Sequence, residues 1–324
     1  MKSPSLSDLP DPPSGRSGWP WTECPETTHR AEIEPWVSII TPSYNQGQFL
    51  EETIRSVLLQ GYPNLEYIVI DGGSTDDSVD IIRKYEPWLA YWVSEPDRGQ
   101  SHAINKGLKL ANGDVLSWLN SDDVLLPETV NCAVKFLNEH QEVDVVYGRL
   151  NRIDSQSNPV PTPTLPKDDL EFGRETAIGE CIVNQPGCFW RREITDRVGL
   201  LNEELHYALD YELWVRMILA GADFKRLSHS VANFRLSGGS KTVGQTANHA
   251  IEHLTVIQHF LSDPNLAEKL NISPAILSSQ AKKGQALISL YAFWGHFKNL
   301  HFRQALKWLI KAVSTYPPIL LERR

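Results

Sequence analysis

Between Trp36 and Tyr147 the chain repeats one pattern: a short run of β-branched and apolar residues, then a longer stretch whose apolar positions recur at helical spacing. Val37–Ile40 reads as strand and Phe49–Leu59 as helix, then Tyr67–Ile70 and Ser78–Tyr85, then Ala90–Val93 and Ser101–Leu110. Val115–Leu119, Glu128–Leu137 and Val143–Tyr147 continue the alternation. A helix between successive strands returns the chain in the same direction each time. The pattern therefore predicts an α/β fold, a largely parallel sheet with helices on both faces. Ligands of such sheets bind beyond the carboxyl ends of the strands.

Polar residues gather at those ends. Thr41-Pro42-Ser43-Tyr44-Asn45 follows the first strand, Asp71-Gly72-Gly73-Ser74 the second, and Asn120-Ser121-Asp122-Asp123 the fourth. Each alone is ordinary turn or cap chemistry, but three on one edge predict a ligand crevice. Neither a Gly-x-Gly-x-x-Gly nor a Gly-x-x-x-x-Gly-Lys-[Ser/Thr] phosphate cradle occurs, so a bound phosphate needs another source of positive charge. Asp122 and Asp123 offer hard oxygen donors, and Mg²⁺ is commonly held by one or two carboxylates plus substrate phosphates. A metal-bridged diphosphate is one reading of the pair; a plain turn is the other.

The flanking regions differ. Residues 1–35 contain seven prolines and no apolar period, which reads as a flexible arm with Trp19 and Trp21 as docking points. Pro159, Pro161, Pro163 and Pro166 interrupt the pattern after residue 150. A Gly- and aromatic-rich region follows, with a helix from near Asp210 and a strand at Ser230–Leu236, and from residue 245 the chain reads as helical. The expected organisation is an arm (1–35), a catalytic domain of two halves (36–150 and 151–244) and a basic helical extension (245–324).

The net charge of −9 argues against nucleic acid as a partner. It is uneven: from Lys282 onward eight basic residues face one acid, a local +7. Four cysteines, too scattered for a zinc site and too few for a disulfide scaffold, predict a reducing compartment. With no secretory signal at the start and no apolar run of spanning length, the expectation is a soluble, cytoplasmic protein.

The segments Val37-Ser38-Ile39-Ile40-Thr41-Pro42-Ser43-Tyr44-Asn45, Ile70-Asp71-Gly72-Gly73-Ser74-Thr75-Asp76 and Leu119-Asn120-Ser121-Asp122-Asp123 resemble, in order and register, glycosyltransferase family two. The resemblance covers about Trp36 to Thr242. It implies a GT-A fold, built on a Rossmann-like sheet, and transfer of a sugar from a nucleotide sugar with inversion at the anomeric carbon. Carried over by position, it places Thr41, Pro42 and Tyr44 in the first nucleotide loop, Asp71 against the base (uracil), and Asp122 on the ribose side. Asp123 becomes the ligand of Mg²⁺ or Mn²⁺, and Arg98 lies near the nucleotide. In the second half, Asn184-Gln185-Pro186-Gly187 and Leu209-Asp210-Tyr211-Glu212-Leu213-Trp214 resemble the acceptor strand and the base helix. Asp210 is the implied general base, Gln185, Pro186 and Trp214 lie near the donor sugar or acceptor, and Arg235 and Lys241 approach the diphosphate. His102 and Ser237 stand where many relatives have Asp and His, and Leu209 where many have Glu.

An acceptor hydroxyl needs a carboxylate to receive its proton in the transition state, while a metal stabilises the departing diphosphate. Glu212 is the rival base, but two positions along a helix it points about 200° away from Asp210. The partners implied are a nucleotide sugar, UDP-linked, and a saccharide or lipid-linked saccharide acceptor, in cell-surface polysaccharide synthesis. A sugar-phosphate nucleotidyltransferase and a non-catalytic nucleotide-sugar scaffold are the alternatives. For the basic carboxyl-terminal helices two readings stand: Trp294, Phe297, Phe302 and Trp308 among lysines suit peripheral contact with a membrane, or these aromatics pack the helices onto the catalytic domain.

Overall fold

The computed structural model describes residues 3–25, 34–161, 172–179, 182–237 and 245–320. The chain forms two compact units, one of Met1–Thr162, Asn184–Glu203 and Asp223–Arg235, the other of Pro163–Val183, Glu204–Ala222 and Leu236–Arg324. The contiguous halves expected at 36–150 and 151–244 are thereby corrected, because two later strands return to the first sheet.

The first unit contains β1 (Val37–Ser43), α1 (Gly47–Leu58), β2 (Leu65–Asp71), α2 (Ser78–Tyr85), β3 (Tyr91–Ser94), α3 (Gln100–Leu110) and β4 (Val115–Trp118). After these come β5 (Val124–Leu125), α4 (Thr129–Glu139), β6 (Val145–Ile153), β7 (Pro159–Val160), β8 (Phe189–Arg191), α5 (Arg192–Val198) and β9 (Phe224–Arg235). Among the described residues they build a nine-stranded sheet in the order β3-β2-β1-β4-β8-β6-β9-β5, with β7 paired to β6. The expected parallel sheet is the β3-β2-β1-β4 part. β8 enters antiparallel between β4 and β6, β9 runs parallel to β6, and β5 closes the path antiparallel to β9.

β1 is buried along its whole length, as a central strand covered on both faces must be. It extends past Pro42, although proline cannot donate to a ladder. β4 ends opposite Ile40, and beyond it β1 pairs only with β2, which leaves a position where proline is tolerated. Val37, Ile39 and Val69 pack with Leu50, Ile54 and Val57 of α1 in one core, and each such side chain contributes roughly 1.5–3 kcal/mol on burial. The Trp118 and Trp190 rings meet edge-on at 5.5 Å and join β4 to β8.

The described part of the arm packs against the rest of the first unit. Leu9 and Trp21 are buried, and Trp19 Nε1 donates to the Leu125 carbonyl at 2.8 Å. The buried Arg55 donates from Nε to Pro20 O (3.0 Å), from Nη1 to Pro10 O (2.7 Å) and from Nη2 to Trp21 O (3.0 Å), with its guanidinium over the Trp21 ring. A cation on the inner face of α1 is the receptor that composition alone did not reveal.

The second unit is helical: α6 (Leu209–Leu219), α7 (Thr246–Leu261), α8 (Leu266–Lys269), α9 (Pro274–Lys298) and α10 (Phe302–Thr315). Ser273 caps α9 by accepting the Ile276 N–H at 3.2 Å, with Pro274 in the first turn. Within α9, a Cβ at Gly284 would stand 2.1 Å from Gly179 Cα, so only glycine permits this backbone approach. Among the described residues no helix is long and apolar enough to cross a membrane.

Candidate active site

At the carboxyl ends of β1 and β2 the two loops are stitched together. The Asn45 N–H donates to Ser74 Oγ (2.8 Å), the Thr75 N–H to Asn45 Oδ1 (2.8 Å), and the Gly72 N–H to Ser43 O (2.8 Å). Gly72 sits against the Asp97 carboxylate: a Cβ there would lie 2.6 Å from Oδ2, so a larger residue would displace that side chain. Asp71 is fully buried. Its carboxylate accepts from the Gly73 and Ser74 amides and from the Ser74 and Ser94 hydroxyls, at 2.6–3.1 Å. Three of the four bonds converge on Oδ2 and one, from Ser74 Oγ, on Oδ1, so Asp71 shapes the loop through Oδ2 and keeps acceptor capacity at Oδ1.

Thr41, placed in the first nucleotide loop, has its buried hydroxyl 3.0 Å from the Tyr67 hydroxyl inside the core. Pro42 is buried beside it. Tyr44, just past the end of β1, is 61% exposed. Arg98 is exposed and paired with Glu203. Glu203 is in turn held by Asn105 Nδ2 at 3.1 Å, and these two donors, Asn105 and then Arg98, keep its carboxyl below the usual range.

Beyond β4, Asn120 is the hub of a network that sequence reading did not foresee. Gln100 Nε2 donates to Asn120 Oδ1 (2.7 Å), Asn120 Nδ2 donates to Gln185 Oε1 (3.2 Å), and Gln185 Nε2 donates to Trp118 O (2.7 Å). Gln185 thus braces the acidic loop, and Pro186 beside it is buried. The motif residues were recognisable, but their mutual bonds join positions 65 residues apart and follow only from the packing of β8 against β4.

Asp123 is 1% exposed and accepts the Arg235 N–H at Oδ1, 3.0 Å. Burial first, then the charge of Asp122, push its carboxyl well above the ordinary range. A divalent cation relieves that crowding of negative charge, so the donor set fits Mg²⁺ or Mn²⁺ held by one or two carboxylates and completed by substrate phosphates. Among the described residues no group of three or more His, Cys, Asp or Glu gathers for a closed metal cage.

Arg235 does not reach outward. Its buried guanidinium donates from Nε to Asp122 O (2.8 Å), from Nη1 to Asp154 O (3.0 Å) and Ser157 Oγ (2.9 Å), and from Nη2 to Glu52 Oε2 (3.0 Å). The expected diphosphate contact is corrected to a brace under the Asp122–Asp123 loop. Lys241, the other expected contact, lies outside the described residues.

In the second unit, Asp210 occupies the first turn of α6 and its Oδ1 accepts the Tyr211 N–H at 2.7 Å. Burial, opposed by hydrogen bonds and aided by the charge of Glu252, pushes its carboxyl up to about 6. Desolvation therefore outweighs the helix dipole, which alone favours ionisation. Asp210 is not the helix cap. The Glu252 carboxylate of α7 accepts the N–H groups of His206, Tyr207 and Ala208 at 2.6–3.0 Å instead. Glu212 is engaged by Arg216 through both carboxylate oxygens at 2.8 Å. Trp214, expected near the donor sugar or acceptor, is 0% exposed.

A sequence profile described as glycosyl transferase family 2 matches residues 38–199. An uncharacterized glycosyltransferase of Rickettsia prowazekii is 31% identical over 229 residues, covering 68% of each chain. Among solved structures, the mannosyltransferase PcManGT from Pyrobaculum calidifontis, in complex with GDP-Man and Mn²⁺, superposes with a TM-score of 0.57 at 20% identity, over 92% of this chain and 91% of that one. Residues 1–349 of S. aureus TarS, in complex with UDP-GlcNAc, superpose at 0.55 and 18% identity, over 88% and 92%. Of a longer TarS chain this chain spans 54%.

Proposed function

The chain belongs to glycosyl transferase family 2, with the GT-A fold of that family, and from that premise we propose that it is an inverting, metal-dependent enzyme. It moves a sugar from a UDP-linked donor to a hydroxyl of a saccharide or lipid-linked saccharide, in cell-surface polysaccharide synthesis. The observation that carries the reading is the strand-end constellation: two cross-stitched loops, an exposed Tyr44, and a buried Asp123 whose carboxyl is crowded by Asp122. Tyr44 supplies an aromatic face for the base, and Arg98 stands near the nucleotide. Asp123, with Asp122 adjacent, would hold Mg²⁺ or Mn²⁺, which when bound offsets the charge of the departing diphosphate. Asp210 receives the acceptor proton. A carboxyl near 6 is mostly ionised at neutral pH yet basic enough to share the proton in the transition state. Glu212, already paired with Arg216, is the poorer base.

Two neighbours hold different nucleotides, UDP-GlcNAc and GDP-Man, so donor class is the first measurement. Thermal unfolding with UDP, GDP and their sugars, with and without Mn²⁺, should show stabilisation by UDP ligands that depends on the metal, since a ligand of the native state raises the transition. Release of UDP from UDP-sugar with acceptor completes the test. Pyrophosphate release from a nucleoside triphosphate and a sugar 1-phosphate would overturn it, as would binding without any turnover.

A further inference from the structure

The carboxyl-terminal helix pair carries its largest apolar side chains outward. In α10 the residues turned inward are small, Ala305 and Ala312, whereas Phe302, Leu306 and Ile310 are 57%, 57% and 59% exposed. These three lie four residues apart, on one stripe of the helix. Trp294 and Phe297, near the end of α9, extend the stripe: Phe297 meets Trp294 at 5.9 Å and Phe302 at 5.6 Å, and both residues are exposed. The reading in which the aromatics of this segment pack it onto the rest of the chain is thus corrected for these residues.

The charges fall beside the stripe. Arg303, Lys307 and Lys311 each follow a stripe residue by one position, about 100° around the helix. An apolar row bordered by a basic row is the arrangement of a helix lying in a bilayer interface, apolar side in the acyl boundary and cations at the headgroups. The sign of the border selects the partner. A second copy docked on the same stripe would bring two basic rows together and bury lysines, which protein interfaces disfavour, while an anionic leaflet attracts them.

We propose that the face formed by Trp294, Phe297, Phe302, Leu306 and Ile310 with its basic border is a peripheral docking surface for an anionic membrane. The inference is independent of the transferase reading, because a chain without activity would bind equally well. Binding is by insertion of side chains at the interface, with no helix crossing the bilayer.

The test is sedimentation of the full chain with vesicles of equal parts phosphatidylglycerol and phosphatidylcholine, and with vesicles of phosphatidylcholine alone. Binding to the anionic vesicles at low salt should exceed that to neutral ones by about tenfold or more and weaken at high salt. Leu306→Gln with Ile310→Gln, and separately Lys307→Gln with Lys311→Gln, should each lower it about tenfold. Leu306, Lys307 and Ile310 are exposed and Lys311, half-buried, touches only the Trp308 ring of its own helix among the contacts described, so circular dichroism should match the parent and the thermal transition should fall by no more than a few degrees. Equal recovery in the supernatant with both vesicles would overturn the proposal. So would binding that neither salt nor variants alter, or a concentration-dependent dimer, lost in the Leu306/Ile310 variant, with no vesicle binding.

Discussion

Arg235 and Glu52 form an ion pair at 3.0 Å with side chains 0% and 6% exposed, and the same arginine grips the main chain of Asp122 and the carboxylate of Asp123. Removing one partner of such a pair strands a buried charge, at about 3–5 kcal/mol. Glu52→Gln should therefore lower the unfolding free energy by several kcal/mol in denaturant titration. Glu52→Gln combined with Arg235→Met should lose less than the sum of the single changes, because the stranded charge is gone. Additive losses would mean that the two residues act separately.

Asp123→Asn tests the metal assignment without dismantling the loop, since the amide oxygen can still accept the Arg235 N–H. Calorimetric titration with UDP and Mn²⁺ should show affinity reduced by about tenfold or more, with the metal dependence lost. Unchanged affinity and metal dependence would remove Asp123 from the site.

Asp210→Asn should keep donor binding and lose about two to four orders of magnitude in turnover, whereas Glu212→Gln should stay active. In the parent, activity should fall as pH drops through about 6, where Asp210 takes up a proton. Glu252→Gln withdraws a negative charge that raises Asp210, so the acid limb of the rate profile should move to lower pH. A limb that stays in place would detach Glu252 from the base.

The same carboxyl bears on stability with the opposite sign. Asp210 titrates near 6 when folded and near 3.9 when unfolded, so the native state binds the proton more tightly. Its contribution is full below the unfolded value and is lost as pH rises through about 6. At about 1.4 kcal/mol per unit of pKa, the ionised group costs on the order of 2–3 kcal/mol at neutral pH. Asp210→Asn should unfold later than the parent at pH 8 and should show no such gain near pH 4, measured by chemical denaturation.

The repeating strands and helices of residues 37–147, β5 apart, were legible because their apolar period is local, and α2 matches its sequence-read bounds at both ends. β8 was not, because Phe189–Arg191 is three residues long and is strand only through pairing with β4 and β6. The strand-end loops were found by motif. Sequence could not tell which of their side chains face a ligand and which support the loop. Arg235 and Trp214 entered as site residues through the resemblance of their segments, and both are buried. The burial of Asp123 was not legible either: β9, meeting β5 in the sheet, brings Arg235 over it and closes that side.

Arg55 gives the amino-terminal arm an unusual thermodynamic character. Its guanidinium is satisfied by the arm's own carbonyls, by the Trp21 ring and, from outside the arm, by the Tyr85 hydroxyl at 3.1 Å, so detachment of residues 3–25 would return most of that cation to water. The hydration regained then offsets part of the apolar area exposed. The three bonds from Arg55 to the arm's carbonyls therefore contribute less to holding the arm than their number suggests, since each is exchanged for hydration when the arm detaches, and the apolar burial of Leu9 and Trp21 carries more of the attachment.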